Sequence, residues 1–230
     1  MTETFNRDVR ADSEAAFTDR DGDRILTWRW PWLYRVLFRL SPTSQRVRAK
    51  EIDAVLARID AVSRPGQSVI EVGCGPGTYT RHLAPRFAHV TALDPAHGMI
   101  DHMTRRMARE GHRNVIGAHG WLPDGLSADA AADGVVVVGV LDFADDLVEW
   151  LSALRACVTP GGWLVFTVPS ARTVSRMAGA TEGLLAGRVH TREVSEVHGA
   201  AADAGLRDIQ LSVVEDRGRA ITLVGSAVAS

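Results

Sequence analysis

Two hydrophobic rhythms divide the chain. In its first part, Leu33, Val36, Leu37 and Leu40 follow an i, i+3, i+4, i+7 spacing. That spacing predicts a helix with one apolar face. Pro31 suits its start and Ser41-Pro42 its end. A second helix is predicted from about Ser44 to Val62, with Ile52, Val55, Leu56 and Ile59 on one face. Arg64-Pro65-Gly66 then breaks the pattern.

From Ser68 onward, short apolar runs alternate with helical periods. Strands are expected at Ser68–Val72, His89–Leu93, Val115–Ile116, Gly134–Val140 and Trp163–Val168. Between and after them, helices are expected at Thr80–Arg86, Gly98–Glu110, Asp145–Cys157 and Glu193–Ala204. The unbroken Val135–Val138 run reads as a strand buried on both faces. Residues 169–192 read as irregular or helical. The last strands, Ile209–Val214 and Ile221–Ser226, are joined by a polar turn containing Gly218. No crossover helix fits between them, so that pair should be antiparallel. The alternation predicts an α/β fold: a seven-stranded, mostly parallel, doubly wound sheet with helices on both faces. Residues 1–64 form a tail and helical cap in this division, and residues 65–230 the main domain.

Composition narrows the chemistry. With 46% hydrophobic and 23% charged residues, wholesale disorder is excluded. A net charge of −2 argues against a nucleic-acid partner. No apolar run approaches the roughly 18 residues of a membrane span. Lys50 is the only lysine, which disfavours Schiff-base and P-loop chemistry. It falls in a charged stretch that reads as an exposed helix. Cys74 and Cys157 are far apart and outside any metal spacing, and no carboxylate cluster has ligand spacing, so no metal is expected. The cysteine usage and the polar N-terminus without a signal peptide suggest the cytoplasm. Oligomeric state leaves no mark on the sequence.

The unit Val69–Arg86 carries the candidate chemistry. A strand leads into Gly73-Cys74-Gly75-Pro76-Gly77 and then into a helix. Glycines there let a ligand approach the backbone, and a helix start offers unpaired N–H groups. Asp94 ends the next strand, 19 residues after Gly75, where a carboxylate would take both hydroxyls of a ribose. The dinucleotide fingerprint would need a third glycine where Thr78 stands.

The pattern Glu71-x-Gly73-x-Gly75-x-Gly77 instead resembles the first motif of the class I S-adenosylmethionine-dependent methyltransferases. Asp94 resembles that family's ribose-binding acid, Asp133-Gly134-Val135 the start of its fourth strand, and Pro160-Gly161-Gly162 the turn before its fifth. The closing antiparallel pair resembles its last two strands. The resemblance is close over about 66–168 and loose over 193–226, and residues 1–50 match nothing specific.

The resemblance implies a Rossmann-like sheet, S-adenosylmethionine as cofactor and a small-molecule acceptor. Gly73, Gly75 and Gly77, with Cys74 in the same loop, would underlie the methionyl part. Glu71 would order the loop or reach the cofactor's amino group through water. Pro95 and Met99 would lie near the adenine, and the Gly139 backbone would face the amino-acid end. One departure stands out. Ala118 occupies the place where many relatives carry an adenine-binding acid, with His119, Gly120 and Trp121 beside it. The adenine contact would then be made by backbone or by Asp124. Trp121 fits a purine stack and a core tryptophan equally well.

Methyl transfer needs alignment and water exclusion more than a dedicated catalytic group. Where a base is needed, Asp142 after the fourth strand and His190 in the 169–192 segment are the candidates. Asp142 also fits a helix-capping acid, and His190 an exposed loop histidine. His97, His119 and His198 are weaker candidates, and Cys157 reads as a buried apolar thiol. Residues 24–50 hold seven basic residues, three tryptophans and no acid. They suit a lid over an apolar acceptor, a membrane-surface helix without stable insertion, or a plain packing helix.

The expected reaction is methyl transfer to an aromatic, quinone or secondary-metabolite acceptor, with oxygen favoured over carbon or nitrogen. The alternatives are a cofactor-binding protein without transfer, a cyclase that uses the sulfonium charge, and an NAD(P)-dependent dehydrogenase.

Overall fold

The computed structural model describes residues 42–120, 122, 131–171, 189–217 and 219–229. The expected helix after Pro31, the tryptophans of the 24–50 segment, Trp121, Asp124 and Gly218 lie outside the described residues.

Seven strands form one sheet in the order β3-β2-β1-β4-β5-β7-β6. They are β1 (Ser68–Val72), β2 (His89–Asp94), β3 (Val115–His119), β4 (Ala132–Val137), β5 (Val158–Pro169), β6 (Leu206–Asp216) and β7 (Arg219–Ala229). The pairs among β1 to β5 are parallel, and β7 pairs antiparallel with both β5 and β6. The expected sheet and its closing antiparallel pair are both present. The strand order reverses between β1 and β4, so a crevice opens at the carboxyl ends of β1, β2 and β4.

The helices are α1 (Pro42–Val62), α2 (Thr80–Leu83), α3 (His97–Arg109), α4 (Leu147–Ala156) and α5 (Val194–Asp203). Alternate residues of the central strands serve opposite layers. Val135 and Val137 join the cluster that contains Leu151 and Leu154 of α4 and Val197 of α5. Val136 joins Val55 and Ile59 of α1 and Leu83 of α2 on the other face. This explains an unbroken valine run in place of an alternating one. Val55 and Ile59 are fully buried, so α1 is a working layer of the sheet. Its outer side is tied to β6: Arg46 Nε and Nη2 and Lys50 Nζ all lie 3.1 Å from Asp216 carboxylate oxygens. Lys50 is part-exposed, as its stretch predicted, yet ion-paired.

Several boundaries differ from the sequence expectation for physical reasons. The helix after the glycine loop ends at Leu83 because Pro85 has no N–H to continue its bonding. β3 runs on to His119, which pairs in register with Asp94. β4 stops at Val137, since Gly139 has a φ of +68° that no strand continues. β5 begins at Val158, absorbing Pro160-Gly161-Gly162 through a register irregularity opposite Ala132–Gly134. A Cβ at Gly134 would overlap the Trp163 indole, which accounts for that glycine.

Candidate cofactor-binding site

The site is built on the ends of β1, β2 and β4. The Gly73 and Cys74 N–H groups both donate to the Leu93 carbonyl at 2.8 Å, folding the glycine loop over the end of β2. Gly73, Gly75 and Gly77 all have positive φ, at +74°, +50° and +80°. Their surroundings separate their roles. A Cβ at Gly73 would strike Val140, and one at Gly77 would press on Met103, so these two allow packing. A Cβ at Gly75, or at Gly139 across the crevice, would meet no heavy atom within 4 Å. Those two glycines leave an open cradle in backbone conformations that side chains resist.

Asp94 is 7% exposed and lies against that cradle. Its Oδ2 accepts from Gly75 N–H at 2.8 Å, and its Oδ1 from Ala96 N–H at 2.9 Å. A carboxylate has about four acceptor sites, so about two remain for a diol. Burial raises the Asp94 pKa to about 6 against the opposing pull of the two N–H bonds. The residues present therefore fit a ribose: an acid fixed by backbone, with acceptor capacity left, beside a glycine cradle.

Glu71 is 3% exposed and accepts a 2.6 Å hydrogen bond from Thr80 Oγ1. This bond ties the end of β1 to α2 across the loop, which fits the loop-ordering role the resemblance implied. Burial pushes the Glu71 pKa up to about 8, opposed by the Thr80 bond and reinforced by the Asp94 charge. Burial, then Glu71 and Asp94, also raise the Cys74 thiol well above its usual range. A thiol held neutral there is no nucleophile.

The end of β3 is tied to the end of β2 by backbone. The Gly120 N–H donates to the Asp94 carbonyl at 3.3 Å. His119 Nε2 lies 2.7 Å from the Pro95 carbonyl, so that nitrogen carries the proton. The His97 ring stacks on His119 at 4.1 Å. Met99 is buried at the first turn of α3. Arg106, on α3, donates through Nη1 to the Pro76 and Gly77 carbonyls at 3.3 and 3.2 Å and braces the loop from outside.

The remaining candidates gather at the turn after β4. The Gly139 N–H donates to Thr167 Oγ1 at 3.0 Å. Asp142 lies half-buried in a 3-10 turn, Leu141–Phe143. It does not cap α4; Asp146 does, accepting from Val148 and Glu149 N–H. The structure brings the two candidate bases together through backbone: His190 N–H donates to the Asp142 carbonyl at 2.7 Å. His190 Nε2 lies 3.0 Å from Asp145 Oδ1. Arg192 locks the same turn, with Nη2 donating to the Ala144 and Asp145 carbonyls at 2.8 and 3.3 Å and Nη1 to Glu196 at 3.0 Å. His198, on α5, is exposed. Cys157 is buried and donates to the Ala153 carbonyl, as a structural thiol would. Among the described residues no group of histidine, cysteine and carboxylate side chains could hold a metal.

Sequence reasoning missed Thr80, Arg106 and Arg192. Thr80 carries one usable signal: a hydroxyl at the start of the helix that follows the glycine loop. The two arginines carry none, because their partners are carbonyls distant in sequence.

A family model described as a methyltransferase domain matches residues 44–211. Malonyl-[acyl-carrier protein] O-methyltransferase of Serratia marcescens is 32% identical over 118 residues, 51% of this chain and 44% of that protein. Ubiquinone biosynthesis O-methyltransferase of Methylocella silvestris is 33% identical over 119 residues, 51% of this chain and 45% of that protein. The chain thus spans about half the length of the curated relatives it matches. In fold it is similar to magnesium protoporphyrin IX methyltransferase from Synechocystis PCC 6803 with bound SAH, at a TM-score of 0.73 and 18% identity. That match covers 92% of this chain and 100% of the other. With the glycine loop, the buried Asp94 and the sheet order already in place, the chain belongs to the class I S-adenosylmethionine-dependent methyltransferase family.

Proposed function

We propose that this protein transfers the methyl group of S-adenosylmethionine to an oxygen of a small-molecule acceptor, of the aromatic, quinone or secondary-metabolite class. One observation carries the reading: the fixed Asp94 carboxylate beside the open cradle at Gly75 and Gly139. The O-methyltransferase names of the two relatives support oxygen. The dehydrogenase alternative gives way to the family match.

When bound, S-adenosylmethionine supplies a methyl group activated by the sulfonium. The chain's own residues hold and exclude. Asp94 accepts from the ribose hydroxyls, and Pro95, Met99 and Gly120 border the adenine. The Gly139 N–H is committed to Thr167, so its carbonyl is what it offers an ammonium group. His190 takes the acceptor's proton: with Nε2 held by Asp145, its Nδ1 is the basic nitrogen. Asp142 is the second candidate base, docked to the same segment. Residues 1–64 act as the cap, of which α1 doubles as a sheet layer. The acceptor is a small molecule and not nucleic acid, and the protein works in the cytoplasm. No helix of the described residues is long and apolar enough to cross a membrane.

Incubation with methyl-labelled S-adenosylmethionine and a metabolite extract tests the proposal. Label should appear in a small molecule, and loss of Asp94 should abolish it. Cofactor binding with no labelled product in acceptor-rich extracts would favour a binding protein or a cyclase instead.

A further inference from the structure

Gly139 forms the β4 corner of the crevice, and it is held differently from the other glycines there. The Gly73 and Gly77 N–H groups donate to backbone carbonyls and that of Gly75 to Asp94, whereas Gly139 N–H donates to a neutral hydroxyl, Thr167 Oγ1, at 3.0 Å. Gly139 is exposed, its φ is +68°, and a Cβ there would meet no heavy atom within 4 Å. It also lies beyond the end of β4 at Val137. A glycine so placed has wide backbone freedom unless something fixes it. Thr167 lies in β5, next to Phe166, the partner of Val137. It is 2% exposed, too buried to touch a ligand in the crevice. A buried hydroxyl is costly unless it is hydrogen-bonded, and valine has the same shape without that cost. Among the described residues the Gly139 N–H is this hydroxyl's only partner. The hydroxyl therefore serves the Gly139 corner. Because the peptide unit is planar, fixing that N–H fixes the plane from which the Gly139 backbone departs.

β4 stands two strand spacings from β2, about 10 Å across the crevice from Asp94. A ligand whose ribose is held at Asp94 directs one end towards β3 and the other towards β4. At the β3 end the His97 and His119 rings stack at 4.1 Å and offer a flat face, which suits a base. The Gly139 corner is left for the flexible amino-acid chain. We propose, resting on the cofactor site put forward above, that Thr167 is a positioning residue that presets the Gly139 corner for the amino-acid chain of the cofactor. Without the hydroxyl, Gly139 samples other conformations and the ligand has to select the competent one. Affinity then falls by the fraction of molecules that remain competent.

The test is calorimetry on the full chain, wild type against Thr167→Val and Thr167→Ser, with two probes. S-adenosylhomocysteine carries the amino-acid chain; 5′-methylthioadenosine shares its adenosine and thioether and lacks that chain. In Thr167→Val, S-adenosylhomocysteine should bind about tenfold more weakly, the loss expected when about a tenth of the molecules hold the competent corner. 5′-Methylthioadenosine should bind as it does to the wild type. Thr167→Ser keeps the hydroxyl and should bind both compounds normally. Unchanged S-adenosylhomocysteine affinity in Thr167→Val overturns the proposal. So does an equal loss for both probes, which would mark a general structural role, or a loss in Thr167→Ser as large as in Thr167→Val. Amide hydrogen exchange in the ligand-free wild type gives an answer without any variant: the Gly139 amide should be protected although the residue is exposed, and exchange at the rate of an unstructured glycine overturns the preset corner. Failure of both compounds to bind the wild type would instead overturn the cofactor site itself, and this proposal with it.

Discussion

Gly75→Ala separates a ligand cradle from a mere tight turn. The position has a φ of +50° and no heavy atom within 4 Å of an added Cβ. The substitution therefore costs only backbone strain, roughly 1–2 kcal/mol for a side chain in the left-handed region. For a chain of this size that lowers Tm by about 2–8 °C. The methyl would stand in the space beside Asp94, whose Oδ2 accepts from the same residue's N–H. S-adenosylhomocysteine at a hundred times its Kd should stabilise the wild type by about 2.7 kcal/mol. That is a rise of roughly 5–11 °C. The assay is a thermal melt of both proteins with and without ligand. The account predicts a folded variant whose ligand-induced rise is lost. A variant that keeps the full rise would refute the assignment of that open space to the cofactor. Gly73→Ala is the contrasting control, since its Cβ would strike Val140 and should damage stability first.

Four further outcomes follow from the same contacts. Glu71 has a folded pKa of about 8, above its ordinary 4.5, so the folded state binds an extra proton between those values. Its contribution is fully present below about pH 4.5 and is lost as pH rises towards 8, by a few kcal/mol at most; denaturant melts of Glu71→Gln should lack that decline. Asp216 is the opposite case. Hydrogen bonds from Arg46 and Lys50 hold its pKa down to about 2, so its contribution is present above about pH 4 and fades as pH falls towards 2; in Asp216→Asn, acid denaturation should lose that component. Arg192→Met removes the guanidinium bonds to Ala144 and Asp145 and should speed hydrogen exchange over residues 139–146 while S-adenosylhomocysteine still binds. If the aromatic, arginine-rich stretch is a lid, removing residues 1–41 should abolish methyl transfer and leave cofactor binding measurable, and retained transfer would reject that role.

The parts of the fold that are local in sequence are legible in the sequence itself. Val135–Val138 announced a central strand because burial on both faces leaves no alternation to read. The glycine spacing announced a tight loop after β1, because the positive φ at Gly73, Gly75 and Gly77 demands that residue type there. What was not legible depends on contacts between distant segments. Asp142 and Asp146 look alike as capping acids, and only the 3-10 turn places Asp146 at the helix start. Arg192 reads as one more surface arginine until the turn after β4 folds beneath it. Pro85 limits α2 to Thr80–Leu83, one turn shorter than the apolar pattern suggests. The start of β5 depends on a register irregularity against β4, which no single-strand pattern encodes.

The central claim is that Asp94 and the glycine loop bind the nucleoside of S-adenosylmethionine. Calorimetric titration of the wild type and Asp94→Ala with S-adenosylhomocysteine tests it most directly. Loss of a charge-assisted acceptor, at about 1.5–3 kcal/mol, predicts an affinity at least roughly tenfold weaker in the variant. Equal affinity in two folded proteins would contradict the account.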